Sequence, residues 1–375
     1  MRYQFLVATY VLLLGASSAH LYLKPIYDMD SVQYMGNALL MQERDIVRVH
    51  ATVYSDLRNS VPPSALRGLL GEDPTAPTDQ NESRRERARN PYRFAEFLPF
   101  FAIRPLYNQS LWLVSKTGMG LVHSAILISV SSYFVLGMLL FSWASRYATT
   151  AFSTVFCVLL MISPPLTDLG RDLTSDAMAT AVAFASLYMI FERGKLSTGI
   201  LLLLLSIYVR TDFVVLAGPV LAVCWMEKQI DFWKTGVLAA LAVGSVLVIN
   251  HFSGDYGIEM LYYRNFVGVP VAPAEFGVRF TFHQYLAAFR SGLTLALNSF
   301  FVPFLALGVV GLVSRRTRAL FATALSYVVL HFLILPNWQE RWVGVFYLCC
   351  GVCAVGSIGE FARLEKRGSP TFQHD

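Results

Sequence analysis

Runs of apolar residues alternate with polar segments along most of this chain. The first run covers 5–23, and nine more follow a long polar segment. A full membrane span needs roughly 20 apolar residues, and several of these runs are shorter than that. The pattern predicts an all-α integral membrane protein with about ten transmembrane helices. The nine later runs are 120–144, 149–164, 177–191, 197–209, 213–226, 235–252, 291–313, 319–335 and 342–360.

A long polar segment, 24–90, separates the first apolar run from the others. Apolar residues recur at helical spacing within 31–58, which predicts a surface helix there. The stretch 62–89 is rich in charged residues, proline and glycine, which favours a mobile, solvated loop. The stretch 94–107 mixes aromatic residues with two prolines and is expected along the membrane interface. The predicted organisation is a first transmembrane helix in 1–24, a large exported loop in 25–118, a multi-pass bundle in 119–360 and a tail in 361–375.

The lysine and arginine positions predict the orientation of the bundle. Cytoplasmic loops carry an excess of basic residues, and a cytoplasmic N-terminus places most of them inside. Both termini are then cytoplasmic and the long polar segment is exported, which is the topology expected for a bacterial inner membrane. The first run also resembles a cleavable signal peptide, but cleavage would leave the polar segment on the same side. The inside residues are Arg2, Arg146, Arg193, Lys195, Lys228, Lys234, Arg315, Arg316, Arg318, Arg363, Lys366 and Arg367.

Composition narrows the class of function. Of the 375 residues 55% are hydrophobic and 15% are charged, against roughly 25% charged in a soluble domain. The net charge of +5 is spread over the ends of apolar runs, so nucleic acid is not an expected partner. The five cysteines lie inside apolar runs without zinc-type spacing to histidine. The lipid bilayer is the first expected partner.

Two acids follow the first apolar run directly. Asp28 and Asp30 are two residues apart, so an extended backbone points them to opposite faces and a helix separates them by about 200°. One can therefore act as a general base while the other does something different, such as binding a divalent cation. In a purely structural alternative, one of them caps the helix that follows.

Other charged residues collect in short loops on the same exported side. Charges near membrane depth are costly unless they are paired or functional, so their convergence predicts a pocket at that face. Structural alternatives are a local ion pair at a helix start, a break between two short helices and an interfacial anchor. These residues are Arg104, Asp168, Arg171, Asp172, Asp176, Arg210, Asp212, Arg264, Glu340 and Arg341.

Three short motifs resemble the GT-C class of multi-pass glycosyltransferases, which includes protein O-mannosyltransferases and bacterial aminoarabinose transferases. The first is Tyr-Asp-Met-Asp at 27–30, after the first span. The second is Gly-Arg-Asp-Leu-Thr-Ser-Asp at 170–176, in a later exported turn. The third is Pro-Asn-Trp-Gln-Glu-Arg-Trp at 336–342, before the last span. The order of spans and loops resembles that class over most of the chain. The residues themselves resemble it only in these three motifs.

The resemblance implies transfer of a sugar, with inversion, from a polyprenyl-phosphate donor to a lipid, glycan or protein acceptor at the exported face. Asp28 is then the general base, and Asp30 orients the acceptor or helps to hold Mg²⁺ or Mn²⁺. Arginine suits the lipid phosphate because its guanidinium binds two phosphate oxygens at once. The phosphate-binding candidates, in order, are Arg341, Arg171, Arg104 and Arg210, with Asp172 and Asp176 in support.

Two other functions remain open from the sequence. A carrier or flippase for a lipid-linked or anionic solute would use the same arginines without chemistry, but it needs polar residues through the midplane, where these runs are nearly free of charge. An O-antigen polymerase or ligase also has functional arginines in exported loops. That class would place its long loop in the second half of the chain, whereas here it follows the first span.

Overall fold

A computed structural model describes residues 2–254, 256–268, 272–275, 277 and 280–368. These residues form helices and no β-strand, and their one β-type contact is a bridge between Ile26 and Asp172. The bundle contains α1 and α9–α20. Its helices are α1 (Arg2–Leu23), α9 (Leu121–Ala144), α10 (Thr150–Met161), α11 (Pro164–Arg171), α12 (Asp176–Leu187), α13 (Leu196–Val209), α14 (Val214–Met226), α15 (Phe232–Ser253), α16 (Gly257–Phe266), α17 (Phe282–Leu297), α18 (Phe301–Val309), α19 (Arg315–Ile334) and α20 (Gly344–Gly368).

The segment between α1 and α9 forms seven further helices. They are α2 (Met29–Leu40), α3 (Ile46–Ser60), α4 (Pro63–Leu69), α5 (Thr78–Arg89), α6 (Pro91–Phe97), α7 (Pro99–Ala102) and α8 (Pro105–Ser115).

Every predicted apolar run is helical, but ten full spans are not confirmed. Five helices among the described residues, α1, α9, α15, α19 and α20, are long and apolar enough to cross a membrane. Two bent pairs, α10 with α11 and α17 with α18, raise the number to at most seven. The helices α12, α13 and α14 have 12, 14 and 13 residues, which is short for a bilayer at 1.5 Å per residue. The apolar helices indicate a membrane protein.

The prediction of a loop over 62–89 was wrong. This stretch forms α4 and α5, and Arg87 on α5 is only 4% exposed. The Arg87 guanidinium lies 4.1 Å from the centre of the Phe97 ring, and its Nε donates to the Ser83 carbonyl. Polar composition favours a solvated loop, but a cation–π contact and a buried arginine stem stabilise the helix against α6.

The surface helix predicted within 31–58 is instead two helices, α2 and α3, and α2 is almost wholly buried. The stretch 94–107 is broken at its prolines, as expected, but its aromatic residues are buried against α2. Asn37 on α2 donates to the Leu98 carbonyl at 3.0 Å. These contacts hold α2 in place from its last turn.

Gly36 makes the close approach of α2 and α6 possible. A β-carbon at this position would lie 2.6 Å from Cζ of Phe94, and the Phe94 ring is completely buried. We expect Gly36→Ala to lower the free energy of unfolding by about 1–2 kcal/mol, because overpacking outweighs the gain in helix propensity. Thermal unfolding in detergent measures this change.

Gly15→Ala on α1 is the matched control, since a β-carbon there meets no atom within 4 Å. We expect it to leave the unfolding midpoint unchanged or raised. Equal midpoints for the two variants would contradict the packing of α2 on α6.

Candidate functional site

Charged side chains from separate parts of the chain meet in one cluster. The contributing elements are the start of α2, the α11–α12 turn, the α13–α14 turn, α16, α19 and the turn before α20. We call these residues the charged cluster. Its members are Asp28, Asp30, Asp172, Asp176, Arg210, Asp212, Arg264, His331 and Arg341.

Arg341 lies at the centre of this cluster and contacts four carboxylates. Its Nη1 lies 3.1 Å from Asp28 Oδ2 and 2.5 Å from Asp172 Oδ2, and its Nη2 lies 3.4 Å from Asp30 Oδ2. Its Nε lies 3.2 Å from Asp176 Oδ2. Its N–H groups donate to Asp28, Asp172 and Asp30, and its Nε donates to Gln339 Oε1 at 2.9 Å. Most of the five N–H donors of this guanidinium are therefore used.

A second ion-paired group extends the cluster toward α14 and α19. Arg210 is 5% exposed as a side chain; its Nη1 pairs with Asp176 and its Nε lies 2.7 Å from Asp212 Oδ1. The other oxygen of Asp212 lies 3.0 Å from His331 Nε2. Asp176 thus joins Arg210 to Arg341, which makes the two groups one network.

Arg264 on α16 closes the cluster over Asp30. Its Nη2 lies 3.3 Å from Asp30 Oδ1, and its guanidinium lies 5.0 and 4.8 Å from the Phe100 and Phe101 ring centres. Burial acts to raise the pKa of Asp30, but Arg264 and Arg341 lower it overall. Asp30 is therefore held as a carboxylate.

Arg104 is the exception among the arginines here. Within the described part of the chain it contacts no carboxylate; it donates to the Tyr34 hydroxyl and lies 5.1 Å from the centre of the Tyr34 ring. Its Nε is buried without a hydrogen-bond partner. Burial and the nearby Arg210 charge lower its pKa to about 10, so it stays a cation at neutral pH. It is a guanidinium with donors to spare.

Asp28 makes two kinds of contact: it caps α2 and it pairs with Arg341. It is the N-cap of α2, with its Oδ1 accepting from the Asp30 N–H at 3.4 Å, so the structural alternative from the sequence holds for this residue. It also contacts Arg341, and a third of its side chain is exposed. Burial, and then the Asp30 charge, raise its pKa. A carboxylate with a raised pKa is a better proton acceptor than a free one.

A cavity of about 300 Å³ opens beside the charged cluster. This charged cavity also has an aromatic wall of Tyr34, Phe100, Phe101 and Trp342. Its volume is at the lower end of the range for ligand pockets, about 300–1,000 Å³. The charged residues that line it are Asp28, Asp30, Arg104, Asp176, Arg210, Asp212, Arg264 and Arg341.

The structure brings together most of the residues predicted from the sequence. Asp28, Asp30 and Asp176 line the charged cavity with Arg104, Arg210 and Arg341. Asp172 contacts Arg341 but does not line the cavity.

Arg171 lies apart from the charged cavity. Its Nε donates to the Lys24 carbonyl at 2.7 Å, and its Nη1 lies 3.2 Å from Asp168. The Ile26 N–H donates to the Arg171 carbonyl at 2.9 Å. Arg171 thus fastens the chain after α1 to the α11–α12 turn, and it positions Asp28 instead of facing a ligand.

Arg264, Asp212, His331 and Tyr34 belong to the site but were not among the predicted site residues. Asp212 and Arg264 had a signal, because both are charged residues in segments of an apolar chain that were predicted to be exported. His331 and Tyr34 had none, since each lies within an apolar helical pattern. Only the fold brings Tyr34 to the charged cavity and His331 to Asp212.

Asp30 was also a candidate ligand for Mg²⁺ or Mn²⁺. Both of its oxygens contact guanidinium groups, Oδ1 that of Arg264 and Oδ2 that of Arg341. A cation at Asp30 would lie next to two positive charges. The residues present therefore do not fit a metal at Asp30, and we derive no step through one.

The protonation of Asp172 makes the stability of the folded protein depend on pH. Burial raises its pKa to about 7, and its Oδ1 is buried without a partner in the described residues. The unfolded group is ionised above about pH 4, whereas the folded group keeps its proton until about pH 7. Raising the pH across this window therefore destabilises the folded state, and the effect levels off above pH 7.

We expect wild type to lose about 2 kcal/mol between pH 5.5 and 8.5 relative to Asp172→Asn, which cannot titrate. Thermal unfolding of both proteins at the two pH values measures this difference. Asp168→Asn, at a half-exposed position, is the control and should follow wild type. Parallel pH profiles for wild type and Asp172→Asn would contradict a protonated Asp172.

No protein-family model, curated protein or solved structure matches this chain. Its function must therefore be inferred from the chemistry of the charged cluster and of the cavities around it.

Proposed function

We propose that this chain is a membrane glycosyltransferase that moves a sugar from a polyprenyl-phosphate-linked donor to an acceptor hydroxyl. The main support is a pair of adjoining cavities, one charged and one apolar. A donor of this class carries an anionic phosphate between a sugar and an apolar tail, so it needs such a pair. The residues that line both cavities are Phe100, Ile103, Thr211, Asp212, Leu261 and Leu335.

The apolar cavity suits the isoprenoid tail. It has a volume of about 290 Å³ and lies between α14, α15, α16 and α19, where Val214, Val215, Val246 and Ile334 line it. The helix α15 is a candidate membrane span with little of its surface buried in the protein. A tail could therefore enter from the bilayer beside α15 and bury apolar surface at roughly 25 cal/mol per Å².

Arg104 is our first candidate for the donor phosphate. It lines the charged cavity without a carboxylate partner among the described residues, so its donors are open to phosphate oxygens. Arg264 flanks the same space but already pairs with Asp30. Arg341, ranked first from the sequence, is occupied by four carboxylates. We assign it the role of positioning Asp28.

Asp28 is the proposed general base. The acceptor oxygen forms a bond to the anomeric carbon while its proton passes to the Asp28 carboxylate. The bond between that carbon and the phosphate oxygen breaks, and its electron pair leaves with the polyprenyl phosphate, whose negative charge Arg104 stabilises. Asp30 orients the acceptor. One displacement of this kind inverts the anomeric centre.

The resemblance to GT-C glycosyltransferases supports the same reaction and suggests its location. We propose a bacterial inner membrane, with both termini in the cytoplasm and the charged cavity on the exported face. The acceptor class from the resemblance is a lipid, a glycan or a protein.

Asp28→Asn should abolish transfer while donor binding persists, because the amide cannot accept the acceptor proton. We expect turnover to fall by about 10²–10⁴-fold, the usual contribution of a general base. Purified protein in lipid, given a panel of radiolabelled polyprenyl-phosphate sugars, measures both transfer and donor binding.

Asp45→Asn is the matched control, because Asp45 caps α3 as Asp28 caps α2 but lies outside the charged cavity. It should retain wild-type turnover. Full activity of Asp28→Asn would refute the base assignment. Movement of a lipid-linked solute across the membrane without any sugar transfer would favour the carrier.

Arg104→Gln should weaken donor binding and slow turnover, because the phosphate loses its free guanidinium. We expect a loss of about 2–3 kcal/mol, corresponding to a 30- to 150-fold fall in kcat/KM, as for removal of a charged hydrogen-bond donor. Steady-state kinetics with varied donor measure the change.

Arg48→Gln is the control for a lost positive charge, because the Arg48 side chain is 73% exposed on α3. It should bind and turn over the donor as wild type does. If Arg104→Gln and Arg48→Gln gave the same kcat/KM, the assignment of Arg104 to the phosphate would be wrong.

A further inference from the structure

A third cavity lies beside the charged one. It has a volume of about 380 Å³ and lies between α16, α17 and the turn before α20. Asn265 lines both this cavity and the charged cavity, so the two are neighbours. The apolar cavity shares no lining residue with it. We call it the amide cavity, after the amide side chains of Asn265, Gln284 and Asn337.

The polar groups of the amide cavity are uncharged and have hydrogen-bonding capacity left. Asn265 Nδ2 donates to the Leu261 carbonyl, which leaves its Oδ1 as an acceptor. Gln284 Oε1 accepts from Thr281, which leaves the Nε2 donors. The side chains of Ser291 and Asn337 make no hydrogen bond within the described residues. Donors and acceptors therefore both face this cavity.

This lining selects among the possible ligands. A phosphate or carboxylate needs a cation, and no lysine or arginine is among the described residues that line the cavity. An alkyl chain would contact the apolar part of the lining, which includes Val267, Leu295 and Pro336, but it would remove the water from the amide groups without replacing their hydrogen bonds. A sugar hydroxyl both donates and accepts, so it pairs with amide and hydroxyl groups alike. The remaining walls include Ala287, Ala288 and the Phe266 side chain.

We propose that the amide cavity binds an uncharged saccharide as the acceptor of the transfer reaction. This inference rests on the proposed glycosyltransferase function and narrows its acceptor to a neutral glycan. The saccharide lies in the amide cavity and one of its hydroxyls reaches past Asn265 toward Asp28. The donor phosphate and tail occupy the opposite side of the charged cavity.

The test compares transfer with hydrolysis of the same donor. Full-length protein in lipid is incubated with the radiolabelled polyprenyl-phosphate sugar that it consumes. Methyl glycosides of neutral hexoses serve as the acceptors. The double variant Ser291→Ala/Asn337→Ala removes two of the free polar groups. We expect the ratio of sugar transfer to donor hydrolysis to fall about tenfold in this variant. The fall should result from a higher KM for the glycoside.

Ala288→Trp is a second variant that fills the amide cavity without removing a polar group, and it should lower the same ratio. Asn59→Ala, at an exposed position on α3, is the control and should keep the wild-type ratio. Circular dichroism of each variant checks that the fold is retained.

The outcomes separate this inference from the function on which it rests. Transfer to neutral glycosides that both cavity variants weaken supports the amide cavity as the acceptor site. Donor hydrolysis with transfer only to a long-chain alcohol or to a sugar phosphate overturns the inference and leaves the transferase standing. An unchanged ratio in both variants overturns it as well. If no donor is consumed at all, the transferase proposal fails and this inference fails with it.

Discussion

The contact of Arg341 with four carboxylates is the constraint on which the site depends. Carboxylates repel one another strongly when they are taken out of water, so four acidic side chains can approach only around a compensating cation or by keeping a proton, as Asp172 does below about pH 7. Asp28 and Asp30 come from the start of α2, and Asp172 and Asp176 from the α11–α12 turn. Arg341 precedes the last helix, so one side chain connects the beginning, middle and end of the chain.

Such a cluster is poorly explained by stability alone. Buried ion pairs are often no more stabilising than apolar side chains of the same volume, because the charges must first be desolvated. The arginines of this site also differ in their partners. Arg341 and Arg210 are occupied by carboxylates, whereas Arg104 lines the same cavity with donors to spare. Within the described residues, this difference between the arginines supports the proposal that the cavity binds an anionic ligand.

Several elements could be predicted from the sequence because their causes are local. The apolar runs became helical, although 291–313 is broken between α17 and α18. The prolines at 99 and 105 broke the segment between α6 and α8 as expected. The prediction for 62–89 failed because the contact that orders α5 is made with another helix: Arg87 stacks on Phe97 of α6. A high content of charge and glycine indicates that a segment favours water. It does not show whether an aromatic ring on another helix will bind one of its arginines.

By itself the sequence determined a helical membrane protein and a set of charged residues in its turns, because hydropathy and charge act on each segment separately. Only the tertiary structure decided which charges meet. It separated Arg171 from the charged cavity, placed Arg104 against Tyr34 without a carboxylate contact among the described residues, and brought His331 on α19 to Asp212. Partner choice among charges depends on distances between segments far apart in the chain, and helix packing sets those distances.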